Sequence, residues 1–263
     1  MADLEALLDD FAEECADLER IVTPLAAADW ALATPAPGWT IAHQIGHLAW
    51  TDEVATLAAA DAAEFQRLVT EAGPKALTFV DEAAEEASTV PPADLLDRWH
   101  RGQKALTDAL RTVPAGSKLP WFGPPMSAAS MITARIMETW AHGQDVADAL
   151  GITRTPTARL RTVAHIGVRT RNFAYTVHGK TPPAAEFRVE LSAPDGTIWS
   201  WGPEDAEQRV TGSALDFCLL VTQRRHPDDL VIETIGQDAA EWLTLAQAFA
   251  GPTGAGRAAG QFA

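Results

Sequence analysis

The first half of the chain repeats apolar residues at the spacing of an α-helix. Leu4, Leu8, Phe11, Cys15 and Leu18 fall on one stripe, and acidic residues fill the positions between them. This pattern predicts an amphipathic helix over residues 4–22. Further helices are predicted over residues 40–60, 61–87 with a break at Gly73-Pro74, 92–113 and 127–150. Four long helices of this kind are typical of an antiparallel bundle.

After residue 150 the pattern changes from purely helical to mixed. Gly151, followed by Thr155-Pro156, predicts that one helix stops and another starts. The predicted helices cover residues 156–178, 212–224 and 237–250, and the predicted strands 186–193, 197–201 and 208–211, with a turn at Asp195-Gly196. We therefore expect a mainly α fold. It consists of a four-helix bundle over residues 1–151, a small α+β domain over 152–250 and a flexible Gly/Ala-rich tail over 251–263.

The charge of the chain argues against several classes of partner. Its 263 residues have a net charge of −16, and residues 1–150 alone hold 9 basic and 24 acidic side chains. Nucleic acids and anionic membranes require a basic surface, so neither is an expected partner. No uncharged apolar run reaches the roughly 18 residues of a membrane span. The acidic N-terminus does not resemble a secretory signal.

The chain has only two cysteines, Cys15 and Cys218, and they are far apart in sequence. Both are expected in the core, since free cysteines are usually buried. This usage argues against a disulfide framework and predicts a cytoplasmic protein in a reducing compartment.

Three of the seven histidines lie where they could meet a carboxylate inside the bundle. Glu138 and His142 are four residues apart on the fourth long helix, so their side chains share one face. Such a pair can bind a divalent ion, and the second long helix offers His43 or His47 as a third ligand. Two histidines and one glutamate leave coordination positions open, as in catalytic zinc sites. The spacing also fits an ion pair or a packed core histidine, and by itself does not decide between these.

Two segments resemble a known family. The segment from Gly38-Trp39-Thr40 to His47-Leu48 resembles the W-x7-HL motif at the second helix of DinB-like bundles. Glu138 and His142, followed by Gln144-Asp145-Val146-Ala147, resemble the motif of the fourth helix. Within this superfamily the chain is most similar to the actinobacterial mycothiol-dependent maleylpyruvate isomerases, in a metal-binding branch sometimes labelled wyosine base formation protein. That group also has a small α+β domain after the bundle, to which the C-terminal part is more loosely similar.

The resemblance implies a divalent metal, usually zinc, bound by His47, Glu138 and His142. His43 lies one turn before His47 and does not match the motif, so we expect it beside the ligands or at the surface. Asp145 lies three residues after His142. It could hydrogen-bond a ligand or be an ordinary charge on the helix surface.

An open metal site in this family implies a reaction class. A bound cation stabilises a thiolate, and the resemblance names mycothiol as the thiol. We therefore expect a thiol-dependent isomerase or S-transferase acting on a small electrophilic substrate, which in this family can bear carboxylates. A non-catalytic metal-binding or stress-related module, and a hydrolase that uses metal-bound water, stay open. The tRNA modification suggested by the wyosine label is not expected of so acidic a chain.

Positive charges after the bundle could bind substrate carboxylates. Arg161, His165 and Arg169 are spaced by four on one predicted helix, in a stretch without acidic residues. Alternatively, this face docks against the acidic bundle. The resemblance implies a functional arginine in the C-terminal domain, and Arg224 is the best match. A cation there would also compensate the dipole at a helix C-terminus.

Tryptophan is unusually frequent, with nine residues against a single tyrosine. Trp39, Trp50 and Trp140 are close in sequence to the candidate ligands. They are expected either to line the metal site and exclude water from it, or to fill the core of the bundle.

Overall fold

The N-terminal part of the chain forms the helical bundle that its apolar pattern predicts. The computed structural model describes residues 3–73, 78–251 and 253–262. The chain divides into two compact units, Met1–Thr153 and Arg154–Ala263. The first contains α1 (Leu4–Val22), α2 (Ile41–Ala60), α3 (Ala62–Ala72), α4 (Phe79–Ser88), α5 (Pro92–Thr112) and α6 (Ala128–Leu150). Helices α1, α2, α5 and α6 form the bundle, and α3 and α4 pack against α2. Pro74, in the predicted break, lies outside the described residues.

Helix α2 is enclosed by its neighbours. Most of its residues are buried, on every side of the helix, because it packs against α3, α4, α5 and α6. At Gly46 a Cβ atom would lie 2.5 Å from the Cβ of Ala87, so only glycine allows α4 to approach this closely. Polar side chains on α2 are therefore surrounded by other helices.

Local signals set the ends of the two helices that hold the candidate ligands. At the start of α2, the backbone N–H and the hydroxyl of Thr40 lie 3.3 and 2.8 Å from Nδ1 of His43, which forms a capping box. Helix α6 starts after Ser127, whose hydroxyl oxygen accepts from the Ser130 N–H at 3.1 Å. It ends at Gly151, which has a left-handed φ of 65°, as predicted.

A buried ion pair joins α2 to α6. Nε of Arg135 donates to Oδ1 of Asp52 at 2.8 Å, and both side chains are almost inaccessible to solvent. Burial raises the pKa of the Asp52 carboxyl, and the Arg135 guanidinium opposes that shift. Because Asp52 follows His47 on α2 and Arg135 precedes Glu138 on α6, the pair braces the two helices beside the candidate ligands.

The second unit is a four-stranded sheet with helices packed on one face. Its elements are α7 (Leu160–Arg169), α8 (Arg171–Val177), β1 (Phe187–Ser192), β2 (Ile198–Trp201), β3 (Gln208–Ser213), α9 (Ala214–Val221), β4 (Ile232–Ile235) and α10 (Gln237–Leu245). The strand order is β2-β1-β3-β4, with β1 parallel to β3 and the other neighbours antiparallel. Phe187, Val189 and Leu191 alternate as buried residues along β1, and α9 packs against this strand. The predicted fold class, mainly α with a bundle followed by a small α+β part, is confirmed.

Two predictions for the second unit are wrong in detail, and one strand was missed. The helix expected over 156–178 is two helices, because Thr170 leaves the helical conformation and its hydroxyl donates to the Ile166 carbonyl. The last helix ends at Leu245 and not at residue 250, since Ala246 is extended and the Ala248 N–H bonds to Val221. Strand β4 was not expected, because a four-residue edge strand gives little alternation.

The described part of the chain contains no helix that is both long enough and apolar enough to cross a membrane.

Near the C-terminus, the N–H of Gly260 donates to the Asp229 carboxylate at 2.8 Å, and the Arg225 guanidinium lies 4.1 Å from the ring centre of Phe262. The flexibility expected of residues 251–263 stays a prediction.

Candidate metal centre

Two histidines and one glutamate meet between α2 and α6. Oε2 of Glu138 lies 3.3 Å from Nε2 of His47 and 3.2 Å from Nε2 of His142. The two imidazole ring centres are 4.5 Å apart. The side chains are between 10% and 20% exposed, so the cluster keeps limited contact with solvent. Among the described residues, this is the one group of three potential ligands whose donor atoms all lie within 4.8 Å of one another.

The spacing of these atoms fits a tetrahedral ion. Zinc binds histidine nitrogen at about 2.0–2.1 Å and carboxylate oxygen at about 2.0–2.2 Å, so two of its ligands lie roughly 3.3–3.5 Å apart. Both separations from Glu138 are close to this value. The three residues could therefore hold a divalent ion with at least one coordination position left open.

A chain of hydrogen bonds sets the tautomer of His142. The carbonyl oxygen of Trp39 can only accept, so the Thr34 hydroxyl donates to it at 2.9 Å and accepts from Nε2 of Gln44 at 2.8 Å. This orientation turns Oε1 of Gln44 toward Nδ1 of His142, which must hold the proton. Nε2 of His142 is then the ring nitrogen that faces Oε2 of Glu138 and could bind an ion.

Glu138 is the acidic centre of the cluster. Burial alone would raise the pKa of its carboxyl, but the hydrogen bonds and charges of His142 and His47 outweigh burial and hold that pKa well below its usual value. The carboxylate is thus ionised at neutral pH, as a metal ligand must be.

His43 lies on the same helix but does not join the cluster. Its Nε2 is 2.8 Å from Oε2 of Glu85 on α4, and its Nδ1 contacts Thr40 in the capping box. Both ring nitrogens therefore have partners elsewhere. The structure brings His47, and not His43, to Glu138 and His142.

Tryptophan rings lie against the cluster. The ring centre of Trp39 is 5.3 Å from that of His47 and 5.9 Å from that of His142, and the second pair is stacked. Trp50 lies 6.1 Å from His47. Both tryptophans are partly exposed, so they form a wall of the site, whereas Trp140 is a buried core residue.

Asp145 and the two cysteines are buried. Asp145 has no exposed surface, so the alternative of a helix-surface charge is wrong, and a role beside the ligands stays a prediction. Burial raises the pKa of the Cys15 and Cys218 thiols well above the ordinary value. Neither cysteine is therefore suited to act as a nucleophile near neutral pH.

The other candidates lie in the second unit. Arg161, His165 and Arg169 are all exposed on α7. Nδ1 of His165 accepts from the indole N–H of Trp201 at 3.1 Å, and burial together with the charges of Arg169 and Arg161 lowers the pKa of His165. Arg224 follows α9, and its Nη1 donates to a backbone carbonyl two residues earlier, at 2.6 Å. Substrate binding by these residues stays a prediction.

Sequence reasoning missed Gln44 and Thr34. Gln44 had a signal, since it is an amide in an apolar helix three residues before His47 and therefore on the same face. Thr34 comes from a loop, where periodicity says nothing about spatial neighbours.

Comparisons with known proteins identify the family of the chain. The family model for the mycothiol maleylpyruvate isomerase N-terminal domain matches residues 11–147, and the model for wyosine base formation matches residues 183–234. Two proteins of Mycobacterium tuberculosis, from strains H37Rv and CDC 1551, are each 58% identical to this chain. The match covers 98% of this chain and 100% of each relative, and both relatives are described as uncharacterized.

Solved structures have a similar fold. The crystal structure of the mycothiol-dependent maleylpyruvate isomerase matches with a TM-score of 0.59 and 20% identity, covering 84% of this chain and 90% of that one. A histidine-to-alanine mutant of that enzyme matches with a TM-score of 0.59 and 19% identity, covering 88% and 92%. The N-terminal family model spans half of the chain and includes His47, Glu138 and His142. The chain therefore belongs to the family of the mycothiol maleylpyruvate isomerase N-terminal domain.

Proposed function

We propose that this protein is a metal-dependent enzyme that uses a thiol of the mycothiol type to isomerise a small electrophilic substrate, or to transfer the thiol to it. The observation that supports this most is the cluster of His47, Glu138 and His142, in a chain of the mycothiol maleylpyruvate isomerase family. Zinc is the proposed ion, because two imidazoles and one carboxylate are a typical ligand set for it.

An external thiol would supply the nucleophile that neither cysteine of the chain provides. Cys15 and Cys218 are buried with raised thiol pKa values, so neither supplies a nucleophile. When bound, the ion would supply acidification of a thiol that occupies its open position. The similar solved structures are titled as mycothiol-dependent enzymes, which makes mycothiol the thiol to test first.

The chain's own residues would orient the site and keep it dry. Gln44 holds the proton on Nδ1 of His142, so that Nε2 presents its lone pair to the cluster. The rings of Trp39 and Trp50 cover the histidines and limit the access of water. Limited access protects a thiolate from protonation by solvent.

The reaction needs no other reagent. The thiolate sulfur bonds to one carbon of a cis double bond, and the π electrons move toward the adjoining carbonyl group. The former double bond, now a single bond, rotates. Cleavage of the C–S bond then restores the double bond as the trans isomer and returns the thiolate. In the transferase form, the proton lost by the thiol moves to the neighbouring carbon, and the adduct leaves.

The test is the visible spectrum of cobalt-substituted protein. Addition of mycothiol should change the d–d bands, since sulfur replaces an oxygen ligand. A Cys15→Ala, Cys218→Ala double variant should respond in the same way, because the sulfur comes from the added thiol. An unchanged spectrum at millimolar mycothiol would contradict the proposal. Hydrolysis by metal-bound water, or metal binding without catalysis, would then replace it.

A further inference from the structure

Aromatic side chains extend outward from the cluster. The Trp50 ring, which contacts His47, lies 5.0 Å from Phe79 edge-on and 6.5 Å from Phe122 in a stacked arrangement. Phe122 also lies 5.4 Å from Phe79 and 5.2 Å from Trp121. We call Trp50, Phe79, Trp121 and Phe122 the aromatic platform. It rests on the buried Phe65.

The platform is open to solvent. Phe122 is 39% exposed, and the other three rings are partly exposed. Exposing large rings lowers stability, and contiguous exposed apolar surface commonly marks a binding site. The Trp50 ring contacts His47 as well as Phe79 and Phe122, so the platform begins beside the cluster.

The loop that presents Trp121 and Phe122 is closed and stiff. Leu119 and Met126 exchange two backbone hydrogen bonds, at 2.7 and 3.0 Å, across the segment PWFGPP. Three prolines among these six residues restrict the backbone further. Rings that are held in place before a ligand arrives lose little entropy on binding.

One side of the platform is acidic. Helix α4, which supplies Phe79, contains four acidic residues in ten and no lysine or arginine. Asp81 accepts a hydrogen bond from the Trp39 indole at 3.0 Å, and the exposed Glu85 lies beside His43. A dicarboxylate would be repelled here, whereas an uncharged aromatic ring would not.

We propose that the aromatic platform binds the ring of an uncharged aryl-substituted electrophile, such as an aryl enone, while its double bond lies beside His47. This inference rests on the proposed function and names its substrate class. In the reaction, the thiol sulfur bonds to the β-carbon, the C=C π bond breaks, and the thiol proton moves to the α-carbon. A face-to-face or edge-to-face ring contact is the interaction that an alkyl enone or maleate cannot make.

The first experiment compares three electrophiles with mycothiol and the metal-loaded protein. They are 4-phenyl-3-buten-2-one, 3-penten-2-one and maleate. After correction for the uncatalysed rates, kcat/KM should be about tenfold higher for the phenyl compound than for the methyl compound, given the size of aromatic pair contacts. Phe122→Ala and Phe122→Leu should both lower the ratio of the two kcat/KM values to about one. Ile198→Ala, at an exposed apolar residue of β2, is the matched control and should change nothing.

A second experiment separates this inference from the proposed function. Binding of 4-(4-fluorophenyl)butan-2-one, which has no double bond and cannot react, is followed by fluorine NMR of the ligand. Line broadening by the wild-type protein should be lost in Phe122→Ala, with metal content and circular dichroism unchanged. Binding without any thiol turnover would overturn the proposed function alone. Broadening that persists in the variant, or faster turnover of maleate than of the phenyl compound, would overturn the platform.

Discussion

The two units of the chain place their charged side chains in different environments. In the first, charges are buried between helices, as in the pair of Arg135 with Asp52 and in the cluster at Glu138. In the second, Glu190 of β1 pairs with Arg188 and Arg209 at 3.0 and 2.8 Å on the more exposed face of the sheet. Buried charges are costly unless each is matched, so their positions are tightly defined. The comparison indicates that the pair of Arg135 with Asp52 is enclosed between helices, whereas the ion pairs of the sheet keep partial contact with solvent.

The largest expected effect comes from removing a ligand in the bundle. His142→Ala should reduce metal content from about one ion per chain to almost none, because two ligands do not hold zinc against solvent. His165→Ala, a histidine of the second unit, is the matched control and should keep its metal. Elemental analysis of both purified variants gives the answer, and full retention in His142→Ala would refute the assignment of the site.

The next largest effect concerns stability. Asp52→Ala leaves the Arg135 guanidinium buried and unmatched, so the free energy of unfolding should fall by about 3–5 kcal/mol. Glu190→Ala should cause a smaller loss, since Glu190 and its partners Arg188 and Arg209 keep partial contact with solvent. Urea unfolding of the two variants measures the difference. Equal losses of unfolding free energy in the two variants would show that the buried pair does not stabilise the protein more than the partly solvated pairs of the sheet.

A smaller effect is expected from the residue that orients a ligand. Gln44→Leu removes the acceptor for Nδ1 of His142 and should weaken metal binding about 10–100-fold. Gln144→Leu is the control, because Gln144 bonds Asp148 and not a ligand. Competition with a chromophoric chelator measures both affinities, and equal values would contradict the role given to Gln44.

The smallest effect is expected from His43, one turn before His47 on the same helix. His43→Ala should keep its metal and lose about 1 kcal/mol of stability, the usual contribution of a helix cap. His47→Ala should lose the metal. The reverse result in metal analysis would move the site one turn along α2.

The bundle was more predictable from sequence than the sheet, and the reason is physical. Each long helix repeats its buried stripe many times, so α1, α2, α5 and α6 were located to within a residue or two. Strand β4 has only four residues, and the break at Thr170 depends on a single hydroxyl. The choice between His43 and His47 came from a family resemblance, because periodicity places both in the same enclosed helix. The hydrogen bond from His142 to Gln44 depends on a rotamer and on a loop, which no local pattern encodes.

Glu138 and His47 are 91 residues apart in the chain, on different helices. Of the three proposed ligands, only Glu138 and His142 stay close together in an unfolded chain, so the full ligand set exists only after the bundle has assembled. Free ion at a hundredfold excess over its dissociation constant would then add about 2.7 kcal/mol to the free energy of unfolding. The supply of metal in the cell would thus govern how long each molecule survives proteolysis, independently of any reaction that it performs.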